Sequence, residues 1–390
     1  MSRKIARADV VGSLLRPDYL TKAKERMREG SIDTEELRRL EDKAVLEAIE
    51  LQESAGIQAI SDGEMRRTTW ISFIPLLEDP LFQAPISGFE FLDADAGWLE
   101  LWKEPGGKPV SGEAIREEFH MPKEAFITSK LKFNRDIVSD EYRFLKEHAH
   151  VRSKYNLPAP SWHRMHWHPD YSRDAYPTSD DFIADVADFY REHVVKRLLD
   201  LGCDYIQLDA PNYAQWHIDP SCREAFERHG HDMAHELVMD AEFDNRVFEG
   251  VSGISTGIHL CRGNAARGMY LASGGYEAIA KEIFPRWSNI NTLLLEYDSD
   301  RAGGFEPLDQ TKDHQVVVLG LVTTKDAKLE KEETLVARIN EATKYVPLER
   351  LALSPQCGFA SGEFADTMTI PQEKAKLELI GRVARKVWGD

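Results

Sequence analysis

Short, almost wholly apolar runs alternate along this chain with longer stretches in which apolar residues recur every three or four positions. The runs fall at residues 9–11, 58–61, 156–159, 204–208, 256–260, 292–297, 315–322 and 350–353. The amphipathic stretches include 34–55, 179–201, 330–345 and 371–388. Runs such as YIQL, TLLLEY and VVVLGLV lack the alternation of a half-exposed strand, so they predict strands covered on both faces, as in parallel sheets. The stretch at 34–55 opens on Asp33-Thr34-Glu35-Glu36, acidic residues that suit a helix N-terminus. Eight strand–helix units predict an α/β fold, a (β/α)8 TIM barrel forming a single domain over 1–390. Residues 65–155, between the second and third strands, are too many for one crossover and predict an insertion near the barrel mouth. Within it, FITSKLKF (126–133) alternates like a strand outside the barrel, and the Pro- and Gly-rich 104–112 reads as a loop.

Each apolar run ends in something polar: Gly12-Ser13, Asp62-Gly63-Glu64, Ser161-Trp162-His163, Asp209, His259-Leu260-Cys261, Glu296, Thr323-Thr324 and Gln356-Cys357-Gly358. Barrel enzymes build their sites from such strand ends, so these groups are expected to converge on one pocket. In 259–261 the imidazole and the thiol stand two residues apart at a strand end. Alternation puts both on one side of an extended segment, where they can grip one ion. Thiolate and imidazole are ligands zinc prefers, and a carboxylate can complete the shell. Glu296 follows Leu293, Leu294 and Leu295, where a lone carboxylate would be costly. Cys357 closes the last run before Gly358, which permits a tight backbone approach. His259, Cys261, Glu296 and Cys357 are therefore the candidate Zn2+ ligands. Each has a purely structural alternative: His-X-Cys occurs by chance, Glu296 can pair with an arginine, and Cys357 can be a small core residue. Their joint placement at strand ends is what favours a metal. Cys203, before its strand, and Cys222, in a loop, read as structural.

Composition excludes several classes. With 42% hydrophobic and 30% charged residues, the 390-residue chain suits a globular protein with a large core. Its net charge of -18, from 49 basic and 67 acidic side chains, would repel a phosphate backbone, so no nucleic-acid partner is expected. No run of about 18 apolar residues appears, and the basic start MSRKIARADVVGS lacks a secretory apolar segment. No membrane association and a cytoplasmic location are expected. Four cysteines are too sparse for a disulfide scaffold.

The stretches STGIHLCRGN, LLEYDSDRAG and LSPQCGFA resemble the catalytic half of cobalamin-independent methionine synthases. So do VVGSLLRP near the N-terminus, SDGEMRR after the second strand and YIQLDAP after the fourth. The resemblance spans nearly the whole chain in the same order. The family's duplicated N-terminal half is absent, as in its short single-barrel relatives. The resemblance implies zinc on His259, Cys261, Glu296 and Cys357, and an amino-acid thiol held by Gly12, Ser13, Glu64 and Asp209. Two carboxylates suit an ammonium group, and the N–H and hydroxyl of Ser13 suit a carboxylate. The structural alternatives are a salt bridge from Glu64 to Arg66 or Arg67, and an N-cap or loop-closing bond from Asp209. The activity implied is that of a zinc-dependent S-methyltransferase turning homocysteine into methionine. Zinc would lower the thiol's pKa, and Glu296 would take part in catalysis by yielding its position to substrate sulfur.

The donor side departs from the family. There the donor is 5-methyltetrahydrofolate, and a histidine after the seventh strand helps protonate the leaving amine. Thr323-Thr324 stand in that place here, and threonine is no general acid at neutral pH. The loop after the third strand, PSWHRMHWHPDY, offers His163, His166 and His168 as replacement acids and Trp162 and Trp167 as stacking surfaces for a flat donor. Alternatively these five are exposed or packed loop residues. The stretch Thr69-Trp70-Ile71-Ser72-Phe73 lines the donor pocket or simply packs. The expected partners are thus a homocysteine-like thiol and an alkyl donor, folate or other. A second reading resembles the epoxyalkane–coenzyme M transferases, zinc-dependent enzymes in which a thiol opens an epoxide. That thiol bears a sulfonate and no amine, so the pair Glu64 and Asp209 speaks against it. A third reading is a barrel that binds ligand or zinc without catalysis.

Overall fold

The structure, a computed structural model, describes residues 5–71, 85–92, 101–118, 123–362 and 367–389. The strands among them are β1 (Ala59–Ile60), β2 (Ile86–Leu92), β3 (Glu124–Phe133), β4 (Arg152–Ser153), β5 (Tyr155–Pro158), β6 (Tyr205–Asp209), β7 (Ser255–Leu260), β8 (Thr292–Glu296), β9 (Val316–Val322) and β10 (Leu351–Pro355). Six of them form one parallel sheet in the order β10-β9-β8-β7-β6-β5. Every residue of these six strands is buried, which is why their sequences run apolar instead of alternating. β1 pairs in parallel with β4. Upstream, Asp9 bridges Ala59 of β1 while Ala8 bridges Leu353 of β10, both in parallel. Among the described residues, no helix is long and apolar enough to cross a membrane.

The apolar runs at 156–159, 204–208, 256–260, 292–297, 315–322 and 350–353 lie on β5 to β10. The run at 9–11 is represented only by the single bridges of residues 8 and 9. The helix predicted at 34–55 is Thr34–Ala55, with Asp33 accepting from the Glu36 N–H and Gly56 closing it in the left-handed region. The stretch 179–201 is interrupted instead: helix Ser179–Phe189 passes into a π turn, Tyr190–Val195, before Lys196–Asp200. Residues 126–133 belong to β3, outside the parallel sheet, paired antiparallel with β2. β2 was not legible in the sequence, because its ladder is broken between Ser87 and Phe89.

Inside the sheet the fold depends on a buried ammonium. Lys154, between β4 and β5, is almost fully buried. Its Nζ donates to Asp9 Oδ1 (3.0 Å), to Gln207 Oε1 (2.7 Å) and to the Val10 carbonyl. Gln207 then donates through Nε2 to the Val11 carbonyl (2.9 Å) and to Asp209 Oδ1 (2.7 Å). The Tyr205 hydroxyl completes the web on Asp9 Oδ2 at 2.8 Å. Burial lowers the Lys154 pKa, and the Asp9 carboxylate opposes that shift.

Replacing Lys154 by Met strands Asp9 as an unpaired buried carboxylate. Urea unfolding of Lys154→Met is expected to show a loss of about 3–5 kcal/mol, with much of it recovered on adding Asp9→Leu. A loss under about 1 kcal/mol would mean that the pair is dispensable.

Candidate metal centre

β7 carries His259 and, one residue beyond its end, Cys261. β8 ends on Glu296, and Cys357 follows β10. The ligand atoms of these four residues lie within 4.8 Å of one another at the C-terminal end of the parallel sheet. The two sulfurs are 3.5 Å apart as free thiols. That approaches the edge of about 3.8 Å expected for a tetrahedron with ~2.3 Å metal–sulfur bonds. His259 Nδ1 faces the Leu294 carbonyl on the neighbouring strand at 3.2 Å, leaving its buried Nε2 without a partner. Such a bond fixes the tautomer that presents a lone pair to an ion. Glu296 is fully buried. Its Oε1 accepts from the Arg262 N–H (3.0 Å), while Oε2 has no hydrogen-bond partner and the Arg301 guanidinium stands 3.9 Å off. The arginine pairing anticipated as an alternative is therefore only a distant contact.

Burial pulls the His259 pKa down to about 3, so its imidazole is neutral, and pushes Glu296 up. The neighbouring Cys261 thiol, then burial, raise Cys357 well above its ordinary value. These shifts describe a donor set without a cation, and a divalent ion reverses their logic. A nitrogen lone pair and a carboxylate oxygen left unpartnered beside two thiols fit a zinc ion. Gly358 serves the packing of this loop: a side chain there would run into Ser13 Oγ, and the Phe359 N–H bonds the Ser13 carbonyl at 2.8 Å.

A cavity opens beside the cluster. Its lining includes Gly12, Ser13, Glu64, Trp162, Asp209, His259, Cys261 and Cys357, so strand ends far apart in sequence meet there. Glu64 has φ +56, a left-handed conformation uncommon for a side chain of its size. Asp62 Oδ1 accepts its N–H (2.9 Å), and Arg16 donates to its carbonyl (3.1 Å) and to that of Ala360 (2.6 Å). Arg16 thereby ties the segment that follows residues 8–9 to the loops after β1 and β10. Arg67 lies 3.7 Å from Glu64 Oε1 but is engaged by Glu141 at 3.0 Å, and Arg66 turns to Asp42. Glu64 Oε2 has no hydrogen-bond partner. Asp209 caps no helix, since Ala210 occupies the cap position of Pro211–His217. Burial, followed by the Glu64 carboxylate, pushes Asp209 up to about 8 despite the Gln207 amide. Two buried carboxylates that disfavour each other's charge are suited to a shared cation.

The structure does not bring His163 or His166 into the cavity. Both lie on the 3-10 turn Pro160–His166, which repeats every three residues. Trp162 and Met165 share the face that lines the cavity. His163 and His166 share the next face and are buried, His163 against the Tyr190 hydroxyl (2.8 Å) and His166 against the Ala125 carbonyl (2.8 Å). Burial lowers both pKa values, that of His166 to about 4. His163 and His166, read from the sequence as replacement acids on the donor side, thus lie on the face of the turn away from the described cavity lining. Trp167 donates to the Tyr176 carbonyl, and His168 borders a different hollow. Thr324 is buried, with its hydroxyl on Gln356 Oε1 at 3.0 Å. Thr69, Trp70 and Ile71 line the cavity; Ser72 and Phe73 lie outside the described residues.

Several neighbours escaped the sequence reading. Asn156 and Gln207 stand inside apolar runs, and that polar interruption was the available signal. Lys325, next to Thr324, donates its buried Nζ to the Gly263 carbonyl (2.8 Å) and Asn264 Oδ1 (3.0 Å), pinning the loop after β7.

Fold and cluster together define an α/β protein with a candidate transition-metal centre at the C-terminal edge of a parallel sheet. No protein-family model matches the chain. It is 32% identical to the Bacillus subtilis protein YxjH, over 98% of this chain and 94% of that one. With the methionine synthase of Thermococcus kodakarensis it shares 25% identity, over 92% and 88% of the two chains. A candidate vitamin-B12-independent methionine synthase from Listeria monocytogenes has a similar structure, with TM-score 0.70 and 25% identity, covering 99% of this chain and 100% of that one. The chain belongs to the short, cobalamin-independent methionine synthase family.

Cys261→Ser and Cys357→Ser are each expected to lose stoichiometric zinc by elemental analysis while keeping the wild-type circular dichroism. Metal retained by both variants would remove the cluster as a binding site. For Asp209, a folded pKa of about 8 lies above the ordinary 3.8. The native state then holds a proton that the unfolded chain releases, so the stability this group contributes is lost as pH rises from 4 to 8. Chemical denaturation of the ligand-free protein over that range should be shallower for Asp209→Asn, by up to about 1.4 kcal/mol per pH unit. An unchanged slope would place Asp209 in water.

Proposed function

We propose that this chain is a zinc-dependent methyltransferase that alkylates the thiol of homocysteine or a close relative, giving methionine. The observation that carries the reading is one cavity with a His, Cys, Glu, Cys cluster and two buried carboxylates among its neighbours. We further read the fold as a single (β/α)8 TIM barrel over 1–390. That reading is supported by parallel pairing from β5 through β10, by the bridges of residues 8 and 9 to β10 and β1, and by the pairing of β1 with β4. In this reading, residues 65–155 are an insertion at the mouth, supported by Trp70, Ile71 and Trp102 on the cavity lining.

A zinc ion held by His259, Cys261, Glu296 and Cys357 would supply the Lewis acidity that keeps a thiol deprotonated at neutral pH. The remaining roles belong to the chain. Glu64 and Asp209 receive the ammonium group of the amino acid, which neutralises the repulsion between them. The N–H and hydroxyl of Ser13, beside Gly12, receive its carboxylate. A side chain on Gly12 would meet the Asn156 amide, so glycine there keeps the floor of the site open. Glu296 carries a carboxylate oxygen free of hydrogen bonds, which suits a ligand that yields to substrate sulfur. Orientation of the thiol against the donor accounts for much of the acceleration.

The epoxyalkane–coenzyme M reading is disfavoured by the same carboxylates, which would face a sulfonate. Calorimetric titration of the zinc-loaded protein separates the two. Homocysteine is expected to bind with proton release, coenzyme M is not, and Asp209→Asn should weaken homocysteine about tenfold or more. Binding of coenzyme M alone would overturn the amino-acid assignment, and binding of neither would overturn the thiol.

A further inference from the structure

The part of the cavity away from the cluster has an unusual chemistry for accepting a methyl donor. Among its described lining residues there is no Lys or Arg, and the carboxyl side chains are Glu64 and Asp209. A polyanionic donor would find no Lys or Arg among these described residues to receive it. Trp70, Trp102 and Trp162 line it instead. The Trp70 and Trp162 rings stand with centroids 5.4 Å apart and planes at 47°, a tilted wedge of two rings in mutual contact. Trp216 stacks behind Trp162 at 5.8 Å and 26°, holding that ring in place.

The side chains expected to act as acids are engaged elsewhere as well. His163 and His166 point away from the lining and are occupied by Tyr190 and Ala125, and the Thr324 hydroxyl is spent on Gln356. A methyl group on a neutral amine departs only if the nitrogen is protonated, and the carboxyl groups on the described lining, Glu64 and Asp209, are those the proposed function commits to the ammonium group of the acceptor. A methyl group on a cationic centre needs no acid, because its leaving group departs neutral.

We infer that the methyl donor is an onium compound, a quaternary ammonium or a sulfonium, whose cationic centre rests against the Trp70–Trp162 wedge. Aromatic faces recognise such centres through the ring quadrupole. The step balances without redox chemistry or a further reactant. The thiolate sulfur of the acceptor forms a bond to the methyl carbon as the carbon–nitrogen or carbon–sulfur bond of the donor breaks. The electron pair stays on the departing heteroatom, which leaves as a neutral tertiary amine or thioether, and the thiol proton passes to solvent. This inference rests on the reading that the cavity takes a thiol.

Calorimetry on the zinc-loaded protein tests it with three probes: glycine betaine, S-methylmethionine and 3,3-dimethylbutanoate, in which carbon replaces the betaine nitrogen. At least one onium probe is expected to bind about tenfold or more tighter than the carbon isostere. Which one binds tells ammonium from sulfonium. Trp70→Leu and Trp162→Leu should each weaken that probe about tenfold or more while homocysteine binds as before. Equal binding of the isostere overturns the inference, as does homocysteine binding with no onium binding, or tight binding of 5-methyltetrahydrofolate in its place. If homocysteine itself fails to bind the wild-type protein, the thiol reading falls, and the onium donor with it.

Discussion

The buried Lys154 ammonium is the contact through which the fold reaches the site. The segment at residues 8–9 has only one bridge to each neighbour, too little backbone pairing to fix the loop that begins at Gly12. Lys154 fastens that segment from inside by engaging Asp9 and Val10, and it aligns the Gln207 amide by claiming its oxygen. With the oxygen committed, the amide nitrogen turns to Val11 and Asp209. The next residues along the chain, Gly12 and Ser13, and the carboxylate of Asp209 are thus set by one cation that never touches the cavity. A buried ion pair of this kind is expensive in desolvation, and a hydrophobic replacement of both partners often costs nothing in stability. What such a replacement loses is the orientation of the Gln207 amide.

The cavity shows the converse arrangement, in which polar groups are buried and left incomplete. His259 Nε2, Glu296 Oε2 and Glu64 Oε2 all lack hydrogen-bond partners. Each such atom costs a kcal/mol or more, by the general scale for unsatisfied buried groups. His259 and Glu296 sit on buried strands fixed by parallel ladders on both sides, which keeps their cost from being relieved by collapse. Under the proposed function, zinc relieves the first two and a substrate ammonium the third.

Where the sequence was legible, burial on both faces made it so. Strands β5 to β10 appear as unbroken apolar runs because no face of them meets water, and the four cluster residues were found because each closes such a run. Legibility ended where the determining geometry was local phase or long reach. Whether Trp162 or His163 faces the cavity depends on the three-residue period of a 3-10 turn, which composition does not reveal. Arg16 and Lys325 act by bonding carbonyls hundreds or tens of residues away, and nothing in their own neighbourhoods marks them. β2 was hidden for a third reason, its irregular ladder with β3.

The phase of that turn also divides the labour of the two histidines and the tryptophan. A turn rotated by one residue would bring His163 and His166 to the cavity and bury Trp162. The wall would then offer imidazoles to a leaving group in place of an aromatic face. The observed phase is held from both sides: Tyr190, at the start of the π turn, takes His163, and Ala125 on β3 takes His166. The aromatic wall is therefore set by packing partners remote from it, and exchanging the histidines would disturb those anchors before it altered any proton transfer. The same contacts that present the indole withhold both imidazoles from this side of the cavity. Under the proposed function, the choice of alkyl donor is thus tied to the fold rather than left to one exchangeable side chain.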